Sequence, residues 1–271
     1  MRAGEVWQQL GDGIFRRRYE AFDQNIGAVL GAEALLVVDT RSHPLAAGEV
    51  ISDLNRLTTL PVGWVFNTHY HFDHTFGNQC FSPARLFGHV NTRRELMERG
   101  EEKLDGLIAE YPQHAEALRE VVITPPTETF EDRATIDLGG RVVEMSFLGL
   151  GHTNSDAVLH VDGVTFAGDL IEEGAPPGFG DSFPISWFET IGRLAAEARP
   201  MVVPGHGDVV DVEYLVVARF DLGWIADQAR RARTAGLALE QIALDGAPYP
   251  EDYTRDALAR AYSELDSKFS Q

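Results

Sequence analysis

Short apolar runs and a stretch of helical periodicity alternate along the first part of the chain. The runs 28–31 and 34–39 predict two strands around a turn, and the second run is apolar at consecutive positions, as in a strand buried on both faces. Residues 44–57 carry apolar side chains at helical spacing and lead into the apolar run 62–66. The sequence therefore predicts a strand, helix, strand unit here.

Helix and strand signals continue to alternate after this unit. Residues from about 91 to 121 are rich in Glu, Leu, Ala and Arg, and Tyr111-Pro112 divides them into two predicted helices. This helical insertion either covers a site or is a solvated helical pair. Turns at Gly139-Gly140 and Asp162-Gly163 predict two hairpins. The remaining predictions are strands at 135–138, 141–148, 157–161, 164–167 and 201–203, a helix at about 187–198, and C-terminal helices within about 213–269.

The composition is that of a globular chain with a substantial core. The protein has 271 residues, 44% of them hydrophobic, and the sequence shows no internal repeat, low-complexity segment or linker. We therefore expect a single domain over residues 1–271 that includes the helical insertion at about 91–121 and the C-terminal helices.

The net charge and the cysteine count indicate which binding partners and which cellular compartment to expect. The 42 acidic and 23 basic residues give a formal net charge of −19, which repels nucleic-acid backbones and anionic lipid headgroups. The chain does not start with a signal-peptide pattern, and nowhere do about 18 apolar residues run uninterrupted. Cys80 is the single cysteine and cannot form an internal disulfide. We interpret it as a small buried side chain, with a catalytic role as the alternative. We expect a cytoplasmic protein that binds neither nucleic acid nor membrane.

Three histidines and one aspartate lie within six residues directly after the apolar run 62–66. They are His69, His71, Asp73 and His74. Side chains two positions apart in an extended segment point the same way, so His69 and His71 can bind one metal together. A turn after this pair can send Asp73 and His74 to a second metal. The cluster predicts a metal centre.

Three further candidate ligands follow apolar runs, where the end of a strand holds a side chain rigidly. His152 stands in Gly-His-Thr, Asp169 in Gly-Asp-Leu and His206 in Pro-Gly-His-Gly. A single histidine after a glycine is more often a turn residue than a ligand. Three such positions behind the dense cluster favour the metal interpretation.

The ordered set of these motifs resembles the metallo-β-lactamase superfamily. Its His-x-His-x-Asp-His motif is matched by the segment from His69 to His74, and Asp39 stands before it at the end of an early strand. The remaining motifs follow in the superfamily's order at His152, Asp169 and His206. The resemblance implies an α/β fold of the four-layer αββα sandwich type, in which two mixed sheets carry helices on both outer faces.

The resemblance also implies a role for each of these side chains. Three residues would hold each metal: His69, His71 and His152 the first, and Asp73, His74 and His206 the second. Asp169 would bridge the two ions. Asp39 would orient the ligand loop, by which we mean residues 69–76, without binding metal. The implied catalytic residue is Asp73, which orients the nucleophile or takes up a proton.

The implied chemistry is hydrolysis by a hydroxide shared between two metal ions. Nitrogen and oxygen ligands suit zinc first, and manganese or iron would accept the same set. The resemblance is nearer to glyoxalase II and the acyl-homoserine lactonases than to true β-lactamases, which generally lack the bridging aspartate and often use a cysteine in the second site. Cys80 lies too near the first cluster to take that place. We expect a small-molecule substrate: an ester, thioester or lactone.

Two other functions stay open at this point. Persulfide dioxygenases keep the histidine motif but use a single iron, so an oxygenase of that kind is one alternative. The flavodiiron branch places an acidic residue at the position of His71, and His71 therefore argues against it. The second alternative is a metal-stabilised binding protein without catalysis, although a structural zinc needs four ligands and no open position.

Aromatic side chains accompany a glycine- and proline-rich segment after Asp169. We expect Phe179, Phe183 and Tyr70 to form an apolar wall for an acyl group, and Trp187 to be a core residue of the following helix. The other histidines lack neighbouring ligand types and are expected to be loop, cap or surface residues: His43, His89, His114 and His160.

Overall fold

Two β-sheets lie face to face in the computed structural model, which describes residues 7–269. The first sheet has seven strands that neighbour one another in sequence order. They are β1 (Gln8–Gly11), β2 (Ile14–Arg18), β3 (Asn25–Leu30), β4 (Leu35–Val38), β5 (Val62–Asn67), β6 (Arg85–His89) and β7 (Glu128–Phe130). Strands β1 to β4 pair antiparallel, whereas β4 to β7 pair parallel.

The second sheet has five strands. They are β8 (Arg133–Asp137), β9 (Val142–Phe147), β10 (Ala157–Val161), β11 (Val164–Glu172) and β12 (Met201–His206). Their order is β12-β11-β10-β9-β8, with β11 and β12 parallel and the other pairs antiparallel. Parallel neighbours in both sheets end at a common edge, and that edge carries the candidate ligands.

Seven helices complete the described part of the chain. They are α1 (Pro44–Leu57), α2 (Phe72–Thr75), α3 (Val90–Glu110), α4 (Ala115–Leu118), α5 (Pro184–Glu197), α6 (Val212–Thr234) and α7 (Glu251–Phe269), with 3-10 turns at Ala21–Asp23, Asn78–Phe81 and Leu239–Gln241. Within residues 7–269, none of the helices is both long enough and apolar enough to cross a membrane.

Strand β4 shows how the layers are held together. Leu36 and Val38 point between the sheets, into a cluster that contains Phe166 and Val203 of the second sheet. Leu35 and Val37 point the other way and pack against α1. Alternate positions of a strand face opposite sides of the sheet, so a strand covered on both sides is apolar throughout. The prediction that this run is buried on both faces is confirmed.

Helices α5, α6 and α7 cover the outer face of the second sheet. Ile191 and Leu194 of α5 join Val158 and Val202 of that sheet in one buried cluster, which also includes Leu222 of α6. With α1 on the outer face of the first sheet, the layers follow the order helix, sheet, sheet, helix. The αββα sandwich implied by the resemblance is confirmed.

Helix α1 has the bounds that the periodicity predicts. The His43 ring accepts a hydrogen bond from the backbone N–H of Ala46, and Pro44 occupies the first turn, where it has no partner to lose. His89 caps α3 in the same way through the N–H of Asn91. The expectation of loop, cap or surface positions for the other histidines is confirmed for these two, which are caps, and is wrong for His160. His160 is instead buried on β10, where its ring contacts the Thr165 hydroxyl.

The helical pair predicted at about 91–121 corresponds to α3 and α4, with Tyr111 directly after α3. Leu96 and Leu104 of α3 and Leu118 of α4 form a buried cluster with Tyr70 and Phe76 of the ligand loop. The pair therefore packs directly against the segment that carries the histidine motif.

Candidate metal centre

Strand ends bring the predicted ligands together at one edge of the sandwich. His69 and His71 follow β5, and the short helix α2 begins at once and carries Asp73 and His74. The second sheet supplies the rest: His152 from the loop between β9 and β10, and Asp169 and His206 from strands β11 and β12.

The seven side chains form two groups. His69, His71, His152 and Asp169 make one group, and Asp73, His74 and His206 make the other. Within each group one candidate ligand atom per residue lies within 4.8 Å of all the others. Every member except His71 and His206 is buried.

The Asp169 carboxylate lies between the two groups. Its Oδ2 is 3.4 Å from His152 Nε2 and 3.6 Å from His69 Nε2, both of the first group. Its Oδ1 is 3.3 Å from His74 Nε2, and Oδ2 is 3.3 Å from His206 Nε2, both of the second. One carboxylate therefore reaches ligands of both groups, which is the position of a bridging ligand.

Each of the five histidines uses one ring nitrogen for an outward hydrogen bond. The contacts are His69 Nδ1 to Thr68 Oγ1 at 3.1 Å, His71 Nε2 to Asp181 Oδ1 at 3.0 Å, His74 Nδ1 to Asp39 Oδ2 at 2.8 Å, His152 Nδ1 to Gly178 O at 3.1 Å, and His206 Nδ1 to Phe22 O at 2.6 Å. The partners are oxygen acceptors, so the outward nitrogen carries the proton. The inward nitrogen of the neutral ring is then a lone pair, as a metal ligand must be.

The inward atoms form a cluster of donor atoms that a cation would satisfy. His71 Nδ1 lies 2.8 Å from His152 Nε2, and His74 Nε2 lies 3.4 Å from His206 Nε2. Two nitrogens bound to one zinc at about 2.0–2.1 Å each are about 3.3 Å apart in a tetrahedral site. In the part of the chain that the structure describes, His69 Nε2 and Asp169 Oδ1 are buried without a hydrogen-bond partner. Such orphaned atoms are costly unless an ion satisfies them.

Burial and carboxylate charge set the protonation of these rings. Burial lowers the pKa of His69 well below its usual value and that of His152 to about 4, so both rings are neutral. Burial acts in the same direction on His206, but the carboxylates of Asp169 and Asp73 outweigh it and raise its pKa to about 10. A proton on this ring must leave when the nitrogen binds metal.

Asp39 links the end of β4 to the ligand loop without facing the inward atoms. Its Oδ1 accepts the backbone N–H of Thr68, while Oδ2 accepts from the Thr68 hydroxyl and from His74 Nδ1. The residue has a positive φ of 64°, a conformation that few residues other than glycine adopt. This is the orienting position that the resemblance implies for Asp39.

The sequence did not point to Asp181. Its Oδ1 accepts from His71 Nε2, and its Oδ2 accepts from the Tyr70 hydroxyl at 2.7 Å and from Lys103 Nζ at 3.1 Å. Burial opposes ionisation, but His71 and Lys103 outweigh it and hold the pKa of Asp181 well below its usual range. The available signal was an acidic residue within the glycine- and proline-rich segment after Asp169.

Gly205 is a second position that the sequence analysis used only as part of a motif. A Cβ at this residue would overlap Asp169 Oδ1. The glycine before His206 therefore lets β12 approach the shared carboxylate closely.

The expected apolar wall is wrong for Phe179. This side chain is only 3% exposed, and its ring centroid lies 5.7 Å from those of Trp187 and Tyr249, inside the core under α5 and α7. Trp187 is a core residue as predicted. The Phe183 ring lies beneath the Arg260 guanidinium.

Cys80 lies away from both ligand groups. Its thiol is half-buried beside α1, 3.9 Å from the carbonyl of Pro44. Burial raises its pKa, which leaves the thiol protonated at neutral pH.

Solved structures show where this fold occurs elsewhere. A sec-alkylsulfatase from a Pseudomonas species is 14% identical, with a TM-score of 0.76 over 95% of this chain and 49% of that chain. A metallo-beta-lactamase from Pontibacter korlensis is 20% identical, with a TM-score of 0.63 over 80% of this chain and 98% of that chain. At these identities the likeness concerns the fold alone, and this chain spans about half the length of the alkylsulfatase.

Sequence comparison identifies the family. The metallo-beta-lactamase type 2 of Bacteroides fragilis is 28% identical over 97 residues, which is 33% of this chain and 39% of that protein. The family model of the metallo-beta-lactamase superfamily matches residues 19–211, a range that contains all seven clustered side chains. The chain belongs to the metallo-beta-lactamase superfamily.

Proposed function

We propose that this protein is a hydrolase that uses two metal ions to cleave a small ester, thioester or lactone. Zinc is the metal that we propose for both sites. The observation that carries the proposal is the position of Asp169 between two groups of inward-facing ligand atoms. Seven ligands in two adjacent groups exceed what one structural zinc needs, and a single-iron oxygenase would leave the second group without a role.

His69, His71 and His152 would hold one ion, and Asp73, His74 and His206 the other, with Asp169 shared. Bound zinc lowers the pKa of water from about 15.7 to roughly 7 and polarises the bond under attack. In this proposal the protein's own part is to fix the ligands through their outward hydrogen bonds and to keep the site partly dry.

Asp73 has the position for proton transfer. Its Oδ2 lies 3.3 Å from His74 Nε2 and 3.4 Å from His206 Nε2, at the side of the second group. A carboxylate there can orient the attacking water and take up its proton, and it can later return the proton to the leaving group. Asp73 is thus the residue to which we assign general acid–base catalysis.

The substrate class rests on the ligand set. Asp169 would take the bridging position and no cysteine is in the second group, which favours the thioester and lactone hydrolases over true β-lactamases. We include sulfate esters as an additional candidate substrate class, because a sec-alkylsulfatase shares the fold over most of this chain.

One experiment tests the proposal directly. The metal-free protein is reconstituted with zinc, manganese or iron, its metal content is measured, and each form is assayed with esters, thioesters, lactones, a β-lactam, phosphodiesters and sulfate esters. We expect about two zinc ions per chain and hydrolysis of at least one carboxylic ester, thioester or lactone. Well under two equivalents of zinc, or a coloured iron protein that consumes oxygen with a persulfide, would overturn it.

A further inference from the structure

A cavity of about 260 Å³ lies between helix α3 and the ligand loop. Tyr70, Phe72 and Phe76 form the wall on the loop side, and Leu107 contributes from the helix. His71, a candidate ligand of the first metal, also lines the cavity. One candidate metal ligand is therefore shared between the metal centre and the lining of the cavity.

The cavity has one cation in its lining, and that cation is already paired. Among the residues that line it, Lys103 is the only lysine or arginine. Its ammonium lies 3.1 Å from Asp181 Oδ2 and 4.2 Å from the centre of the Tyr70 ring. The carboxylate of Glu110 also lines the cavity and would repel an anion. A negatively charged group would therefore meet no unpaired lysine or arginine among the lining residues. An uncharged apolar group could instead pack against three aromatic side chains.

Gly106 is an exposed glycine of α3 that lines the cavity. Lys103, Gly106, Leu107 and Glu110 follow helical i, i+3, i+4 and i+7 spacing and all line the cavity, so Gly106 lies on the helix face turned toward it. A Cβ at Gly106 would meet no other atom within 4 Å. Glycine in the interior of a helix costs about 1 kcal/mol relative to alanine. The helix thus carries an unfavourable residue at the point where a side chain would occupy the cavity.

We propose that this cavity is the specificity subsite of the enzyme and binds the uncharged alkyl or aryl group of the substrate, on the side away from the scissile bond. At about 30 Å³ for each water-sized group, it accommodates roughly eight non-hydrogen atoms. The substrate class is therefore a neutral ester, thioester or lactone with a medium-length apolar chain. This inference rests on the proposed hydrolytic function.

The first test compares hydrolysis of 4-nitrophenyl octanoate and acetate by the zinc-loaded full chain. Burying the six additional methylenes favours octanoate, and we expect a kcat/KM ratio on the order of 100. Gly106→Phe fills the cavity and should lower that ratio at least 10-fold, with a smaller fall for Gly106→Ala. The matched control is Gly48→Phe, because Gly48 is an exposed glycine inside α1 with no atom within 4 Å of its Cβ position. This control should keep the parental ratio.

The second test measures binding without catalysis. Titration of 1-octanol and 1-butanol into the zinc-loaded protein, followed by calorimetry, should show octanol binding that Gly106→Phe weakens at least 10-fold and Gly48→Phe preserves. If no ester, thioester or lactone is hydrolysed but octanol binding follows this pattern, the hydrolytic function is wrong and the subsite stands. If Gly106→Phe keeps both the parental ester ratio and the parental octanol affinity while folded by circular dichroism, the subsite is overturned.

Discussion

His71 donates from Nε2 to Asp181 Oδ1 at 3.0 Å, and this contact leaves its Nδ1 facing His152. The same carboxylate holds Lys103 of α3 and the hydroxyl of Tyr70. Asp181 is therefore a positioning residue that joins a candidate metal ligand to the helix above it.

Asp181→Asn should weaken metal binding about 10- to 100-fold, the range typical of lost partners behind metal ligands. The amide can still accept one hydrogen bond but loses the charge that favours the Nε2–H form of His71. Competition for zinc against a chromophoric chelator measures the affinity. The charge-matched control is Asp105→Asn, which removes an exposed carboxylate on α3. Equal zinc affinity in Asp181→Asn and parent would refute the positioning role.

Substitution of Asp169 should reduce metal binding more severely than substitution of Asp39. Asp169→Ala removes the carboxylate that lies between the two groups, so metal content and activity should fall together. Asp39→Ala removes only the partner of His74 and Thr68 and should cost about 10- to 100-fold in metal affinity. Metal analysis after gel filtration distinguishes the two variants, and a parental metal content in Asp169→Ala would exclude a bridging role.

Asp73→Asn should retain the first metal while weakening the second. The amide keeps the shape and one coordinating oxygen but cannot take up a proton, so turnover should fall on the order of 100-fold or more. Following hydrolysis while zinc is titrated into metal-free protein separates occupancy from catalysis. Turnover close to that of the parent at saturating zinc would limit Asp73 to holding metal.

Gly205→Ala should damage the metal centre without unfolding the chain. Its Cβ would overlap Asp169 Oδ1, so the shared carboxylate must move away from both groups. Zinc stoichiometry and hydrolysis should both fall at least 10-fold, because the bridging ligand is displaced. Gly163→Ala, in the turn between β10 and β11 with open space at its Cβ position, is the control. An unchanged stoichiometry in Gly205→Ala would show that β12 shifts to make room.

His89 should make the fold sensitive to acid. Burial lowers the pKa of His89 to about 4, and its ring stacks on Phe147 with centroids 4.0 Å apart. In the unfolded chain the pKa is about 6.5, so the unfolded state binds more protons between these values. The contribution is complete above about pH 6.5 and is lost as the pH falls toward 4. His89→Asn keeps a capping side chain and should lose less unfolding free energy between pH 7 and pH 4 in urea titrations of metal-free protein. Parallel losses in both proteins would contradict this assignment.

The sequence predicted the parts of the fold in which periodicity and burial agree. Helix α1 has the predicted bounds because its apolar positions and its proline coincide, and β4 is apolar at every position because both of its faces are covered. Strands β1, β2, β6 and β7 were not predicted. Strand β2 includes three consecutive arginines, and Arg16 among them is buried because Gln8, Asn25, Asp208 and the Gly207 carbonyl accept its hydrogen bonds. Long-range partners of this kind leave no local pattern.

In the candidate site, too, local sequence patterns could be predicted and long-range contacts could not. The seven clustered residues were identifiable because ligand types stand at strand ends in a fixed order. Asp181 and Lys103 were not, because each acquires its role only when α3 and the loop after β11 meet at Tyr70. The expectation for Phe179 was wrong for a related reason, since its ring lies in the core through long-range contacts with Trp187 of α5 and Tyr249 before α7.

The ligand groups draw on both sheets: the histidine motif follows β5 of the first, and Asp169 and His206 belong to β11 and β12 of the second. Shared coordination would therefore fasten the two halves of the sandwich at this edge. A ligand that binds only the folded state adds about 2.7 kcal/mol to the free energy of unfolding at 100 times its Kd. The supply of free zinc would then govern the lifetime of the folded chain as well as its catalysis, and a chelator would act on this protein as a denaturant.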